Sequence, residues 1–202
     1  GLTEEDLMPF TYPSDEELKR VGVFSIFLGH YFKWDARRQV EVVKKIGFKS
    51  RSGPVEGTYP NYENLDDEIV SIHDYFKYLK FGFGRATDHA CLDIRNNRLE
   101  RNDALKLIAK YDGKLFKERV GMFCERFSMT EKEFFDVVER FTNKSIFQTD
   151  KDGKLVWENG QLVHLNRKKE LERNYIKDYT DTSDIENSID RKVKKEIERE
   201  GY

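Results

Sequence analysis

The run from Phe81 to Arg95 constrains this chain more than any other stretch. Phe81-Gly82-Phe83-Gly84-Arg85 leads straight into Ala86-Thr87-Asp88-His89-Ala90-Cys91-Leu92-Asp93-Ile94-Arg95, an amphipathic helical pattern opened by two glycines and an arginine. At helical spacing Ala86, Ala90, Cys91 and Ile94 share one face, and Arg85, Asp88, His89 and Arg95 the other, with Leu92 the exception among them. One reading is an anion-binding corner. Gly82 and Gly84 let the backbone approach a ligand, and the unpaired amides at a helix N-terminus favour negative charge. The plainer alternative is that Gly82 ends the preceding helix and the polar face is solvated.

Composition narrows what such a corner can serve. In 202 residues, 38% apolar content supports a core, and the 37% of charged residues nearly cancel to a net charge of −2. No global field draws the chain to nucleic acid or to an anionic membrane. Cys91 and Cys124 are too far apart to resemble a zinc pair and read as reduced thiols, so no metal site is expected. The longest apolar run, Val21 to Leu28, is interrupted by Gly22 and Ser25 and is too short to span a bilayer. The expectation is a soluble, cytoplasmic protein with no membrane insertion and no nucleic-acid partner.

Along the chain, Ser14 and Glu17 have capping-box spacing, which predicts a helix running to Arg20 and stopping near Gly22. Val23 to Leu28 is β-branched, aromatic and bounded by glycines, the pattern of a strand buried on both faces. Asp35 then caps a helix closed by Gly47. Ligands gather where the strands of open α/β sheets end, so the loop Gly29–Asp35, with His30, Trp34 and Asp35, is a candidate site expected to face the same cavity as the corner. The aromatic residues of that loop read equally well as packing it down.

Gly53, Pro54, Gly57 and Pro60 mark residues 50–64 as a loop too long for a mere connector, with Tyr59 and Tyr62 arguing against disorder. A helix over Asp66–Lys80 follows, with Leu65, Ile69, Ile72, Phe76 and Leu79 as its stripe and His73 beside it. Helices over Arg101–Tyr111 and Phe116–Phe127 are separated by Asp112-Gly113, and a third is announced by the Thr130/Glu133 capping box. The acidic face of that third helix argues against a helix-turn-helix reader of DNA. Lys154–Trp157 and Gln161–Leu165 flank Asn159-Gly160, a hairpin signal. The remainder is dominated by charge and reads as a peripheral helix or a tail. The expected division is 1–49, the strand-helix end of an α/β domain; 50–145, a loop and helical region with the candidate pocket; 146–166, a β-hairpin; and 167–202, a charged helical tail.

Taken in order, Met8-Pro9-Phe10, Tyr12-Pro13-Ser14-Asp15-Glu16-Glu17, Val21-Gly22-Val23, Phe27-Leu28-Gly29, Trp34-Asp35, Gly57-Thr58-Tyr59 and the Gly82 to Arg95 run resemble the N-acetyl sugar amidotransferases of bacterial surface-polysaccharide (LPS O-antigen) biosynthesis. The resemblance covers roughly the first three quarters of the chain, and its specificity lies in the ordered combination. His30 and Lys33 depart from it, standing where relatives often have an aromatic residue and a proline, as does Asn96-Asn97, where a glycine is common.

The resemblance implies a branch of the PP-loop ATP pyrophosphatases, and so the C-terminal part of an adenine-nucleotide alpha-hydrolase-like domain, α/β giving way to mostly α. It implies ATP with Mg2+, a nucleotide-linked N-acetyl sugar whose acetamido group becomes acetamidino, and ammonia from a glutaminase and cyclase-like pair. The family's Ser-Gly-Gly-x-Asp-Ser phosphate loop is absent, Ser52-Gly53-Pro54 being its nearest approach, and the ATP-binding half is expected upstream of Gly1. The resemblance also implies a substrate pocket. Gly82, Gly84, Arg85, Arg95, His30, Trp34, Asp35 and Tyr59 are its binding residues, with the arginines on phosphate. Asp88 or His89 steers ammonia or removes its proton. The rival expectation is a binding module without ATP chemistry that holds a sugar nucleotide or a partner enzyme. A transfer-RNA thiolation enzyme shares the ATP-loop class but is disfavoured by the near-neutral charge.

Overall fold

A computed structural model describes residues 1–53, 55–158, 161–165 and 181–200. The chain forms two compact units, Gly1–Ala36 and Arg37–Tyr202. In the first, α1 (Glu4–Leu7) and α2 (Asp15–Val21) each begin with a reciprocal capping box, Thr3 with Asp6 and Ser14 with Glu17. Helix α2 stops at Gly22, whose φ of 73° lies in the left-handed region that glycine adopts without strain.

The strand expected over Val23–Leu28 does not form. Residues 23–27 have no regular structure, Leu28–His30 is a 3₁₀ turn, and Phe24 and Phe27 are 83% and 91% exposed. A strand exists only where a neighbour takes up its amides and carbonyls, and among the described residues no strand lies beside this one. The α/β opening is corrected accordingly: the described residues are mostly helical, with one small antiparallel hairpin.

Helix α3 (Ala36–Lys44) follows Asp35, buries Val40 and runs into a turn at Gly47. Helix α4 (Val70–Phe81) starts later than its apolar stripe predicts, because the Asp67 carboxylate accepts from the amides of Ile69 and Val70 at 2.7 and 3.2 Å and fixes the first turn there. It stops at Gly82, as expected. Helices α5 (Arg85–Arg95), α6 (Arg101–Tyr111), α7 (Lys117–Arg126) and α8 (Glu131–Phe141) follow, the last opened by the Thr130/Glu133 capping box. Strands β1 (Trp157–Glu158) and β2 (Gln161–Leu162) pair antiparallel, Trp157 opposite Leu162. The Asn159-Gly160 turn predicted between them lies outside the described residues.

Two apolar clusters hold the second unit together. One joins α4, α7, α8 and the hairpin region through Ile72, Tyr78, Leu79, Val120, Phe134 and Phe147. The other joins α5 and α6 to the final helix, α9 (Ser183–Glu200), through Ala90, Leu99, Ala104, Leu107 and Ile189. The part of the expected tail that is described is thus a docked helix. Ile189, Val193 and Ile197 are buried, the buried Arg98 guanidinium donates to Glu196, and Lys192 Nζ donates to the Arg98 carbonyl at 2.9 Å. Residues 166–180, also assigned to the tail, lie outside the described residues.

Ile189 is fully buried, so Ile189→Ala should destabilise the chain by about 2–5 kcal/mol, whereas the exposed Arg191→Ala should change stability by less than about 0.5 kcal/mol. Urea unfolding of the two variants checks whether α9 belongs to the core.

Candidate functional site

The start of α5 does attract an anion, and the anion is the chain's own. Asp112, fully buried at the end of α6, accepts from the Gly84 amide at 2.9 Å, the Thr87 amide at 3.3 Å and Thr87 Oγ1 at 2.5 Å. The free amides and partial positive charge of a helix N-terminus are what a carboxylate neutralises best. The glycines follow from this packing. A Cβ on Gly84 would lie 2.7 Å from Asp112 Oδ1, and one on Gly82 would lie 2.6 Å from His164 Nε2 and from Ile146. Both glycines thus permit close approach within the fold.

Arg85 is committed in the same way. Its Nη1 donates to Asp74 at 2.8 Å and its Nη2 to Glu63 at 2.6 Å, so the fork expected on phosphate closes on two carboxylates from the 50–64 loop and α4. Glu63 also meets His89 Nε2 at 3.1 Å, and His89 Nδ1 lies 2.6 Å from Thr58 Oγ1. The hydrogen bond from His89, working against burial and helped by Arg85, holds the Glu63 carboxyl down at about 2. An ionised Glu63 only accepts. Nε2 therefore carries the imidazole proton and Nδ1 is left to accept from the Thr58 hydroxyl, giving a hydroxyl–imidazole–carboxylate chain.

One turn along α5, Asp93 takes Arg37 Nε and Nη2 at 2.9 and 3.0 Å and the Tyr59 hydroxyl at 2.7 Å. Burial, reinforced by the Asp93 charge, raises the Tyr59 phenol far above its ordinary value, so it stays a donor. Asp88 pairs with Lys77. Arg95 is exposed, with its Nε on the Cys91 carbonyl at 3.2 Å.

The inward face of α5 is thus Ala86, His89, Ala90 and Asp93, at positions i, i+3, i+4 and i+7, with Cys91 and Leu92 exposed. The expected partition of the helix is corrected: polar residues occupy the buried face because each finds a hydrogen-bonding partner there. His30, Trp34 and Asp35 belong to the unit Gly1–Ala36, with His30 and Trp34 exposed, whereas the cluster around His89 is assembled by residues of the unit Arg37–Tyr202.

Thr58, Glu63, Asp74 and Arg85 border a cleft that encloses about 40 Å³, space for a few waters. ATP and Mg2+ do not fit these residues. The amides at the start of α5 serve Asp112 and the Arg85 fork serves Glu63 and Asp74. Among the described residues no three His, Cys, Asp or Glu side chains are grouped to hold a metal. Sequence reasoning placed His89, Arg85 and Tyr59 near a site but missed Thr58, Glu63, Asp74, Asp93, Asp112 and Arg37. The signals available were the length of the loop that carries Thr58 and Glu63 and, for Thr58, the Gly57-Thr58-Tyr59 motif.

Two measurements check this geometry. Asp112→Ala strands one buried donor and two partly buried ones and should cost about 2–4 kcal/mol, with Asp112→Asn losing less because an amide oxygen still accepts. Glu63 ionises below its unfolded value of 4.5, so its contribution is complete above pH 4.5 and fades as the pH falls towards about 2. Acid unfolding followed by circular dichroism should show a steeper loss of stability through that window in the parent chain than in Glu63→Gln.

A family model described as the C-terminal domain of LPS biosynthesis protein WbpG-like proteins matches residues 56–164. No curated protein matches the chain. The matched segment contains Thr58, Tyr59, Glu63, Asp74, Arg85, His89, Asp93 and Asp112, while Arg37 and α9 fall outside it. Among the described residues no helix is long and apolar enough to cross a membrane.

Proposed function

Because the chain belongs to the WbpG-like family of LPS biosynthesis proteins, through that family's C-terminal domain, we propose that it is the proton-handling part of an N-acetyl sugar amidotransferase. In this reading a nucleotide-linked N-acetyl sugar has its acetamido group converted to acetamidino: ammonia adds to the carbonyl carbon, a C=N bond forms, and the C–O bond breaks with the oxygen leaving on the group that activates the amide. The observation that carries the reading is the Thr58–His89–Glu63 chain, which lies within the matched segment with Thr58 and Glu63 on the cleft wall.

Nitrogen that has attacked a carbon carries positive charge and must lose a proton before the amidine forms. Thr58 Oγ1 accepts that proton while passing its own to His89 Nδ1, and the resulting imidazolium faces the ionised Glu63 through Nε2–H. Arg85 and Asp74 hold Glu63 in place for this exchange. An amide is a poor electrophile, which is why ATP with Mg2+ enters the reading. The described residues do not fit either group, so no ATP step is assigned to them. The fold this reading brings with it is the C-terminal part of a PP-loop type domain, located in the cytoplasm and supplied with ammonia by a glutaminase and cyclase-like pair.

One observation favours a second reading. The charged groups of the cleft, Arg85, Glu63 and Asp74, are already paired within the chain, as befits a module that only binds a sugar nucleotide or a partner enzyme. His89→Gln separates the two. In the enzyme carrying this chain, with ammonium, ATP, Mg2+ and sugar nucleotide supplied, it should lower kcat by about 10²–10⁴ with little change in KM for the sugar. Thr58→Val should follow it. Formation of the acetamidino product is read by mass spectrometry and folding by circular dichroism. Unchanged turnover in both folded variants would remove His89 from the chemistry.

A further inference from the structure

Three consecutive residues meet three positions on the inward face of α5. The Gly57 carbonyl accepts from the Ala86 amide at 3.0 Å, Thr58 Oγ1 lies 2.6 Å from His89 Nδ1, and the Tyr59 hydroxyl donates to Asp93 at 2.7 Å. Ala86, His89 and Asp93 stand at i, i+3 and i+7, so the chain runs along the helix and Thr58 is the middle of three fastenings. The described residues around Thr58 have no regular structure, so its two neighbours fix the place of its hydroxyl.

Of the two, Tyr59 has the larger seat. Its ring packs against the cluster that joins α5, α6 and α9, its centroid is 6.1 Å from that of Tyr111, and the Arg37 guanidinium stands 5.4 Å over it. The Asp93 carboxylate that takes its hydroxyl is buried and is itself held by Arg37 Nε and Nη2 at 2.9 and 3.0 Å. The same ring meets the His89 imidazole edge to face, with centroids 6.1 Å apart and planes at 74°. Tyr59 thus acts on both members of the Thr58–His89 pair, on Thr58 through the chain and on His89 through its ring. It does not line the cleft that Thr58 and Glu63 border, so it stands behind the pair. A reacting constellation keeps its geometry only when the residues behind it are locked by packing and hydrogen bonds of their own.

We infer that Tyr59 is a positioning residue. Anchored by Asp93 at its hydroxyl and by the apolar cluster along its ring, it sets the distance from Thr58 Oγ1 to His89 Nδ1 and the tilt of the imidazole. Its consequence for turnover rests on the proton transfer proposed above, whereas its hold on the pair is measured without turnover.

The test is nitrogen NMR of the full chain with isotope-labelled histidine. The chain has four histidines, and His89→Gln identifies the His89 signals. Thr58→Val, which lacks the hydroxyl, shows where Nδ1 resonates without its hydrogen bond. Tyr59→Phe keeps the ring and removes only the hydroxyl, and Asp93 retains both bonds from Arg37, so this variant should fold. The expected result is that Tyr59→Phe moves the Nδ1 signal in the direction set by Thr58→Val. Leu99→Ala opens the same cluster without touching the Tyr59 hydroxyl, and it should lower the unfolding midpoint while leaving the Nδ1 signal in place. In the enzyme carrying this chain, Tyr59→Phe should lower kcat about tenfold with KM for the sugar unchanged. An unmoved Nδ1 signal in Tyr59→Phe, or an equal movement in Leu99→Ala, would overturn the positioning role. A moved signal with unchanged turnover would uphold that role and count instead against proton transfer at His89.

Discussion

The carboxylate of Asp112 sets the geometry on which the candidate site depends. It is fully buried, lies beyond the end of α6, and closes the N-terminus of α5 by accepting from two backbone amides and one hydroxyl. Taking a carboxylate out of water is costly, and here the cost is offset by three donors and by the positive end of the helix dipole. Because the contact fixes both the position of the first turn and, through Thr87, the rotation of the helix, it decides which side chains point inward. His89 and Asp93 are carried to the interior by that rotation.

Once inside, these two groups organise everything around them in charge-complementary pairs. Asp93 gathers Arg37 and Tyr59, and His89 gathers Thr58 and Glu63, which in turn holds Arg85 against Asp74. Partly buried ion pairs of this kind add little net stability, since desolvation cancels much of the attraction. Their effect is geometric. The described residues of 50–64 have no regular structure to hold them, and their hydrogen bonds to α5 give Thr58, Tyr59 and Glu63 fixed places beside the helix.

What could be read from the sequence follows the range of the interactions concerned. Capping boxes at Ser14/Glu17 and Thr130/Glu133 and the stop at Gly82 involve neighbours within a few residues, and the structure has them where the sequence predicts. Asp112 and Gly84 are 28 residues apart, Arg85 and Glu63 are 22 apart, and nothing local announces either contact. The glycine-arginine corner does meet negative charge, and in the structure that charge belongs to Asp112, Glu63 and Asp74. Val23–Leu28 has the composition of a strand but depends on partners that composition cannot supply. The docking of α9 did leave a trace: Ile185, Ile189, Val193 and Ile197 recur every fourth residue, but charged residues between them hid a stripe of adequate width.

Helix α4 ties the cleft to the larger apolar cluster. Asp74 and Tyr75 are consecutive, so they project from the helix about 100° apart. The first fixes Arg85 and, through it, Glu63; the second packs in the apolar cluster with Leu79 and Phe134. Leu79, fully buried in the cluster with Phe134 and Phe147, anchors the same helix between α8 and the hairpin region. A well-packed helix moves as a body rather than residue by residue. The position of Asp74, and with it the Arg85–Glu63 contact beside His89, is thus set by the packing of α4 as a whole.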